Sequence, residues 1–238
     1  MFNNYANILK NFLNLNSGRI NMKILLIRHG QSETNDTRTF TGQLDAGLSD
    51  LGRRQAALMA EFVASEFHID HIFSSDLIRT MDTAAPLSAL SGIPVECDPC
   101  LREIRVPQWE GRPFSELQSE YGPVWDCFFL DPASFEGVGE GSESVRQMAV
   151  RIESALRRIC LDCRDASGAD CCVAVVTHGT PIRAMLTLWG TGSLDGMKDA
   201  PWAVNASVTV ADFDGRDFTL LASGLSEHLK GLCTTIVK

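Results

Sequence analysis

Short apolar runs alternate along this chain with longer segments whose apolar residues recur at helical spacing. The runs predict strands over residues 23–28, 70–74, 93–97 and 172–177. The helical spacing predicts helices over residues 50–67, 76–90, 142–161 and 181–189, the first of them capped by Ser49. Two last runs, 207–213 and 217–222, predict a hairpin whose turn contains Asp214 and Gly215.

Strands that alternate with helices favour an α/β fold, since parallel strands need long crossover connections. We expect a three-layer α/β/α sandwich with a largely parallel central sheet. Residues 104–141 interrupt the alternation with four prolines, and they predict a capping insertion with one or two short helices. Residues 1–21 are rich in Asn and weakly apolar, so we expect an extension outside a single domain of residues 22–238.

Composition narrows the possible partners. The 238 residues are 45% hydrophobic and 21% charged, which is typical of a globular protein. The formal net charge is −9 and no basic run occurs, which argues against binding to nucleic acid or to an anionic membrane. The chain has neither an apolar run long enough to cross a bilayer nor a signal-peptide pattern. We therefore expect a cytoplasmic protein, as a monomer or a homodimer.

Eight cysteines allow two interpretations. Cys97 and Cys100, and likewise Cys160 and Cys163, have the spacing of zinc ligands. The two pairs lie far apart along the chain, however, and nothing in the pattern brings them together. The favoured prediction is reduced cysteines, some of them buried as small apolar residues, and no metal site.

Candidate chemistry lies at the ends of two predicted strands. One strand leads into Arg28-His29-Gly30 and the other into Thr177-His178-Gly179. Ligands of parallel sheets bind beyond the carboxyl ends of the strands, and glycine allows both a sharp turn and a close approach of the ligand. Two histidines in this setting predict a shared site.

These residues belong to a series of motifs. The chain resembles the histidine phosphatase superfamily, the phosphoglycerate mutase-like proteins, and in particular its phosphatase branch. The similar segments, in family order, are LLIRHGQSETN at 25–35, TGQLD at 41–45, FSSDL-x-RT at 73–80, LRE at 101–103, WEG at 109–111, GSES at 141–144 with Arg151, VTHG at 176–179 and NAS at 205–207. The resemblance covers about residues 22–221.

The resemblance implies a phosphoglycerate mutase-like fold and a metal-independent phosphatase that acts on a small phosphorylated metabolite, without a cofactor. His29 would be the nucleophile that forms a phosphohistidine, and Glu103 the general acid. Arg28, Arg79 and His178 would hold the phosphoryl oxygens, because guanidinium groups match them in bidentate geometry. Further substrate-binding candidates are Asn35, Thr41, Gly42, Arg105, Thr177 and Gly179.

The segment between Glu103 and Trp109 departs from the family pattern, since Pro107 stiffens it where phosphatases usually have a glycine. Arg105, Arg112 and Trp109 are candidates for gripping a second phosphate, a carboxylate or a ring; their alternative role is loop packing. Two other functions stay open: a 2,3-bisphosphoglycerate-dependent phosphoglycerate mutase and a catalytically silent binding protein. The phosphatase is favoured because the chain lacks the long basic and aromatic insertion of the family's mutases and retains all five catalytic candidates.

Overall fold

Strands from both halves of the chain form one sheet in the computed structural model, which describes residues 22–167 and 170–232. The strands are β1 Met22–Arg28, β2 His71–Ser74, β3 Val95–Cys97, β4 Cys171–Thr177, β5 Val208–Phe213 and β6 Phe218–Leu225. Their order is β3-β2-β4-β1-β5-β6. The four strands from β3 to β1 are parallel, whereas β5 and β6 are antiparallel to their neighbours. The predicted, largely parallel α/β sheet and the final hairpin are confirmed.

The helices follow the predicted alternation. They are α1 Glu33–Asp36, α2 Asp50–Glu66, α3 Ile78–Ser91, α4 Phe114–Leu130, α5 Val145–Ser167 and α6 Gly179–Thr191. Short 3₁₀ helices occur at Pro99–Leu101, Pro132–Ser134, Leu194–Lys198 and Glu227–Leu229.

Local residues account for several helix ends. The Ser49 hydroxyl accepts from Gly52 N at 3.1 Å and caps α2, and Gly92 ends α3 in the left-handed conformation. The predicted start of α5 at residue 142 is wrong by one turn. Ser144 exchanges hydrogen bonds with Gln147, which sets the start of the helix at Val145.

Side chains along the central strand β1 alternate between two cores. Ile24 and Leu26 pack into one core, which α4, α5 and α6 cover. Leu25 and Ile27 pack into the other, which α2 and α3 cover. All four side chains are at most 1% exposed, so helices shield both faces of the sheet. The three layers of the predicted sandwich follow from this arrangement.

The predicted insertion carries an aromatic cluster. Helix α4 lies in this region and has a kink at Gly122, whose backbone angles (φ 33°, ψ −102°) are not helical. Pro123, the next residue, cannot donate a backbone hydrogen bond. Trp109 is fully buried at the centre of the cluster, with its ring centroid 5.3–5.8 Å from those of its neighbours Phe40, Tyr121, Trp125, Phe128 and Phe135. These rings belong to the same core as Ile24 and Leu26, so the insertion packs directly onto one face of the sheet.

Seven cysteines lie in the described part of the chain, and all are free thiols. Burial raises the pKa of Cys160 to about 12, so that thiol is protonated and packs as an apolar group. Across residues 22–167 and 170–232, no three His, Cys, Asp or Glu side chains come together as metal ligands. The zinc interpretation of the two Cys pairs therefore finds no supporting geometry.

One expectation concerns a part of the chain that the structure does not describe. The predicted extension, residues 1–21, lies outside the described residues, so its separation from the domain stays a prediction.

None of the described helices combines the length and the apolar character that crossing a bilayer requires.

Candidate active site

The register between β1 and β4 brings the two histidines side by side. Arg28 pairs with Thr177 at the carboxyl ends of the two parallel strands. His29 N then donates to Thr177 O at 3.0 Å. As a result, the imidazole rings of His29 and His178 meet edge to face with their centroids 5.3 Å apart. The shared site predicted from the two strand ends is thus formed across 149 residues of sequence separation.

His29 is held as a neutral imidazole with one free nitrogen. Its Nδ1 lies 2.7 Å from Gly30 O, and because a carbonyl only accepts, Nδ1 carries the proton. Nε2 therefore has an available lone pair. Burial lowers the pKa of His29 well below its usual value, and the positive charges of Arg79 and Arg28 lower it further.

The loop after β1 is positioned by close backbone contacts. A Cβ atom on Gly30 would lie 2.5 Å from Gly52 O, and one on Gly52 would lie 2.0 Å from Gln31 O. Only glycine at both positions permits the loop to pack against the first turn of α2. The conformation of the backbone around His29 thus depends on a helix that begins about 20 residues later in the chain.

Asn205 also holds this loop. Its Nδ2 donates to His29 O at 3.0 Å and lies 3.4 Å from Asn35 Oδ1. The sequence predictions did not include Asn205 among the site residues, although it belongs to the late motif NAS. The signal that could have identified it is this motif, since nothing in the local pattern requires a buried amide there.

Two buried guanidinium groups flank the histidines. Arg79, in the first turn of α3, donates to Leu44 O at 2.9 Å and to Gly42 O at 2.8 Å, and Arg28 donates to Ala203 O at 2.5 Å. Burial lowers the pKa of each arginine to about 10, which leaves both charged at neutral pH. The buried Nε atoms of both have no hydrogen-bond partner among the described residues. Each side chain is thus fixed through carbonyls while one N–H stays available for an anion.

His178 supplies a third nitrogen of this kind. Its Nε2 lies 2.9 Å from Ser75 Oγ, whereas its buried Nδ1 meets no partner within the described chain. Burial, followed by the charge of Arg79, lowers the pKa of His178 well below its usual value. Buried polar atoms are rarely left unpaired, and three of them around one histidine pair are typical of a site for an anion with several oxygens.

Glu103 lies across from this group with its carboxylate held by backbone. Its Oε1 accepts from Ile104 N at 2.8 Å, and its Oε2 accepts from Thr180 N at 3.2 Å. Burial raises the pKa of Glu103, although these hydrogen bonds and Arg79 oppose the shift. A carboxyl group with a raised pKa is suited to donate a proton near neutral pH.

Arg151 of α5 fixes the segment that carries Glu103. It donates to Glu103 O at 3.2 Å and forms an ion pair with Glu143, with both of its hydrogen bonds to that carboxylate at 2.7 Å. The prediction named Arg151 only as part of the GSES motif and assigned it no role. Arg151 therefore connects α5 to both ends of the insertion: its ion pair holds Glu143, and its hydrogen bonds to Arg102 O and Glu103 O hold the loop that carries Glu103.

A cleft opens between these polar groups and the insertion. Arg28, Glu103 and Gly179 line it beside the histidine pair, and Asn35, Thr41 and Gly42 line it on the side of α1. The structure therefore brings together nine of the eleven predicted site residues: His29, His178, Arg79 and the six that line the cleft.

The remaining two predicted residues lie elsewhere. Thr177 is buried behind the site, where its hydroxyl donates to Leu101 O at 2.8 Å. Arg105 is exposed, and its guanidinium lies beside Gly141 and Pro107 rather than in the cleft. Ile104 and Val106 on either side of Arg105 are fully buried, so the Arg105 side chain faces solvent although Glu103 is only two positions earlier.

Comparison with known proteins agrees with this geometry. The model of the histidine phosphatase superfamily (branch 1) matches residues 24–225, which include both histidines, both arginines and Glu103. The chain belongs to the histidine phosphatase superfamily. The resemblance seen in the sequence motifs is thereby confirmed.

Individual relatives extend the likeness over most of the chain. Glucosyl-3-phosphoglycerate phosphatase of Mycolicibacterium vanbaalenii is 36% identical over 81% of this chain and 87% of its own. Phosphoglycerate mutase-like protein 4 of Arabidopsis thaliana is 31% identical over 87% of each chain. Among solved structures, Bacillus stearothermophilus YhfR superposes with a TM-score of 0.80 at 25% identity, covering 88% of this chain and all of its own.

A mycobacterial glucosyl-3-phosphoglycerate phosphatase solved with VO3 is also similar. Its TM-score is 0.74 at 28% identity, over 86% of this chain and 99% of its own. The superfamily match together with phosphatase relatives of this coverage identifies the histidine phosphatase chain as a phosphoric monoester hydrolase.

Proposed function

We propose that this histidine phosphatase hydrolyses a phosphomonoester of a small metabolite in two steps, through a phosphohistidine at His29 and without a metal ion. The observation that carries the proposal is the pairing of His29 Nδ1 with Gly30 O, which leaves Nε2 free to act as a nucleophile. The ring centroid of His29 lies 5.3 Å from that of the second imidazole, His178. The unpartnered N–H groups of Arg28 and Arg79 provide the adjoining phosphoryl site.

In the first step, the Nε2 lone pair of His29 attacks phosphorus as the bond to the leaving oxygen breaks. Glu103 donates its proton to that oxygen, so the product leaves as a neutral alcohol. The raised pKa of Glu103 supports this role because the carboxyl group keeps its proton to higher pH than an exposed glutamate does. The lowered pKa of His29 supports its own role, since only the neutral ring can attack.

In the second step, Glu103, now a carboxylate, accepts a proton from water as the water oxygen attacks the phosphohistidine. The P–N bond breaks, inorganic phosphate forms, and His29 is again a neutral imidazole. Arg28, Arg79 and His178 hold the non-bridging oxygens throughout, and their fixed positions stabilise the charge that develops in each transition state. Two guanidinium charges at this site perform the task that a divalent cation performs in other phosphatases.

Phosphate release in the presence of EDTA tests the proposal. The panel contains sugar phosphates, phosphoglycerates, phosphoserine, nucleotides and an aryl phosphate, and conversion of 3-phosphoglycerate to its 2-isomer is followed in parallel. We expect release that EDTA does not reduce. Isomerisation without net release would establish a mutase instead, and activity that EDTA removes and a metal restores would contradict the metal-free step. Absence of both activities would favour a silent binding protein.

A second prediction concerns Ser75, which we expect to position His178. The Ser75 hydroxyl accepts from Leu77 N at 3.4 Å, so its own proton is available to His178 Nε2. When the hydroxyl donates to Nε2, the imidazole proton lies on Nδ1, which is the ring nitrogen that has no partner in the described chain. Ser75→Ala should lower kcat by about tenfold, the scale of one lost orienting hydrogen bond in a buried site.

Steady-state kinetics of three variants would check this role. Ser75→Thr keeps the hydroxyl and should restore most of kcat, while Ser74→Ala removes a neighbouring buried hydroxyl and should leave kcat unchanged. Thermal unfolding of each variant separates orientation from folding. Full activity in a well-folded Ser75→Ala protein would show that His178 needs no such partner.

A further inference from the structure

The cleft beside the phosphoryl site has an aromatic wall. Phe40, Phe114, Phe128, Phe129 and Trp202 all line it. Phe40 and Phe128 are buried, whereas the other three are half-buried and turn part of their rings to the opening. The Phe129 centroid lies 6.2 Å from those of both Phe114 and Trp202, so these three rings form a continuous apolar strip. Rings from two distant parts of the chain thus converge on the same opening.

Positive charge in the cleft is confined to its phosphoryl end. Within the described chain, Arg28 is the only Lys, Arg or His side chain in the lining, and it faces the histidine site. Glu103 adds a carboxyl group beside the position of the leaving oxygen. Away from Arg28, a second anionic group on the substrate would therefore meet aromatic rings, a carboxyl group and the neutral side chains of Asn and Thr residues, and it would lose hydration without gaining a cationic partner.

Arginines elsewhere in the region are held away from this opening. Arg183 stacks on Trp202 at 4.6 Å and is 3% exposed; its Nε donates to Ala200 O, and its buried Nη1 has no partner among the described residues. Arg183 does not itself line the cleft. Arg112 forms an ion pair with Glu120 on α4 and lies 3.7 Å from Glu116. Arg105 is exposed, lies with its guanidinium beside Gly141 and does not line the cleft. The residues that the sequence suggested for gripping a second anion thus do not reach the cleft.

We propose that the leaving group of the physiological substrate is an uncharged alcohol that carries an aromatic ring, and that Phe114, Phe129 and Trp202 bind this ring. This inference rests on the proposed phosphatase function and specifies its substrate class. The cleft opens to solvent beside the aromatic strip, so a ring attached to the phosphoryl group has access to those three side chains. Edge-to-face contacts and burial of the ring supply the affinity, and the phosphoryl group sets its orientation.

Three alkyl phosphates with similar leaving oxygens test the substrate class. Benzyl phosphate carries an uncharged ring, 4-carboxybenzyl phosphate adds an anion to that ring, and glycerol 3-phosphate has no ring. Since burying one ring on an aromatic wall changes binding by about tenfold or more, kcat/KM for benzyl phosphate should exceed the other two values by at least that factor. Benzyl phosphate is used instead of phenyl phosphate because phenol is a better leaving group than an alcohol and would by itself raise kcat/KM.

Variants of the wall complete the test. Phe129→Ala should reduce the preference for benzyl phosphate over glycerol 3-phosphate by about tenfold, mainly through KM. Leu130→Ala, at an adjacent position that is 69% exposed, is the matched control and should keep the preference. Trp202→Leu serves the same purpose if Phe129→Ala does not fold.

The outcomes separate this inference from the proposed function. Hydrolysis that favours the carboxylated or the ringless phosphate, or a preference that survives both wall variants, would overturn the aromatic assignment and leave the phosphatase intact. If wild-type protein releases phosphate from none of the three compounds or from the wider panel, the phosphatase function itself is wrong.

Discussion

Replacing His29 by alanine is expected to lower kcat for phosphate release by at least about 10⁴-fold, because the variant has no nucleophile to form the covalent intermediate. The neighbouring groups would still bind phosphate, since Arg28 and Arg79 are fixed by backbone carbonyls rather than by the imidazole. The loss should therefore appear in kcat, with inorganic phosphate still inhibiting at a similar concentration.

The measurement that distinguishes a nucleophile from a binding residue is trapping of the intermediate. Wild-type protein, mixed with a ³²P-labelled substrate and quenched in alkali, should retain label on histidine, and His29→Ala protein should retain none. His68→Ala is the matched control, because the side chain of His68 is 94% exposed and lies outside the site. Label on the His29→Ala protein, or near-normal turnover by it, would assign the covalent step to another residue.

Replacing Glu103 by glutamine should have the second-largest effect, a fall of about 10²–10⁴-fold in kcat for an alkyl phosphate. Glutamine keeps the size of the side chain but neither donates the proton to the leaving oxygen nor accepts one from water. With 4-nitrophenyl phosphate, whose leaving group departs without a proton, the first step should stay fast. One equivalent of nitrophenol should then appear in a burst, followed by slow hydrolysis of the phosphoenzyme.

Stopped-flow absorbance measures the burst directly. Glu116→Gln is the matched control, because the Glu116 side chain is 58% exposed and pairs with Arg112 away from the cleft. The same large loss in both steps without any burst would mean that Glu103 acts before chemistry, in binding or folding. Normal turnover of alkyl phosphates would remove it from the mechanism.

The dependence of kcat/KM on pH follows from the directions in which the pKa values of Glu103 and His29 are shifted. Glu103 must be protonated to act as the acid, so kcat/KM should fall as pH rises through its pKa, and burial moves that limb above the ordinary range of a glutamate. His29 must be neutral, so kcat/KM should fall as pH drops through its pKa, which lies well below the usual value. In the Glu103→Gln variant, the fall in kcat/KM at high pH should disappear, and the fall at low pH should remain.

Local patterns predicted the elements of this fold well. Ser49 and Gly92 end their helices through hydrogen bonds and backbone angles that involve only neighbouring residues, and the apolar runs became the strands of a doubly covered sheet. Element boundaries failed where a reciprocal cap was needed, as with Ser144 and Gln147 at α5. Such caps depend on rotamers that periodicity does not reveal.

The sequence predicted which residues meet at the candidate site, but it did not predict which side chains hold them in place. His29, His178, Arg28, Arg79 and Glu103 were all identified from motifs, and the pairing of β1 with β4 brings the two histidines together. The roles of Ser75, Arg151 and Asn205 emerged only from contacts between distant segments. A side chain that holds another in place leaves no periodic pattern in the sequence.

The order of strands and helices, the two strand-end histidines and the family were thus already encoded in the sequence, because each depends on residues that are close along the chain. The direction in which each loop side chain points depends instead on packing between segments far apart. Packing placed Arg105 at the surface and Thr177 behind the site, and it brought Phe129 of the insertion, with Phe114 beside it, against Trp202. The aromatic cleft that we infer to select the substrate exists only because those three rings meet in the folded chain.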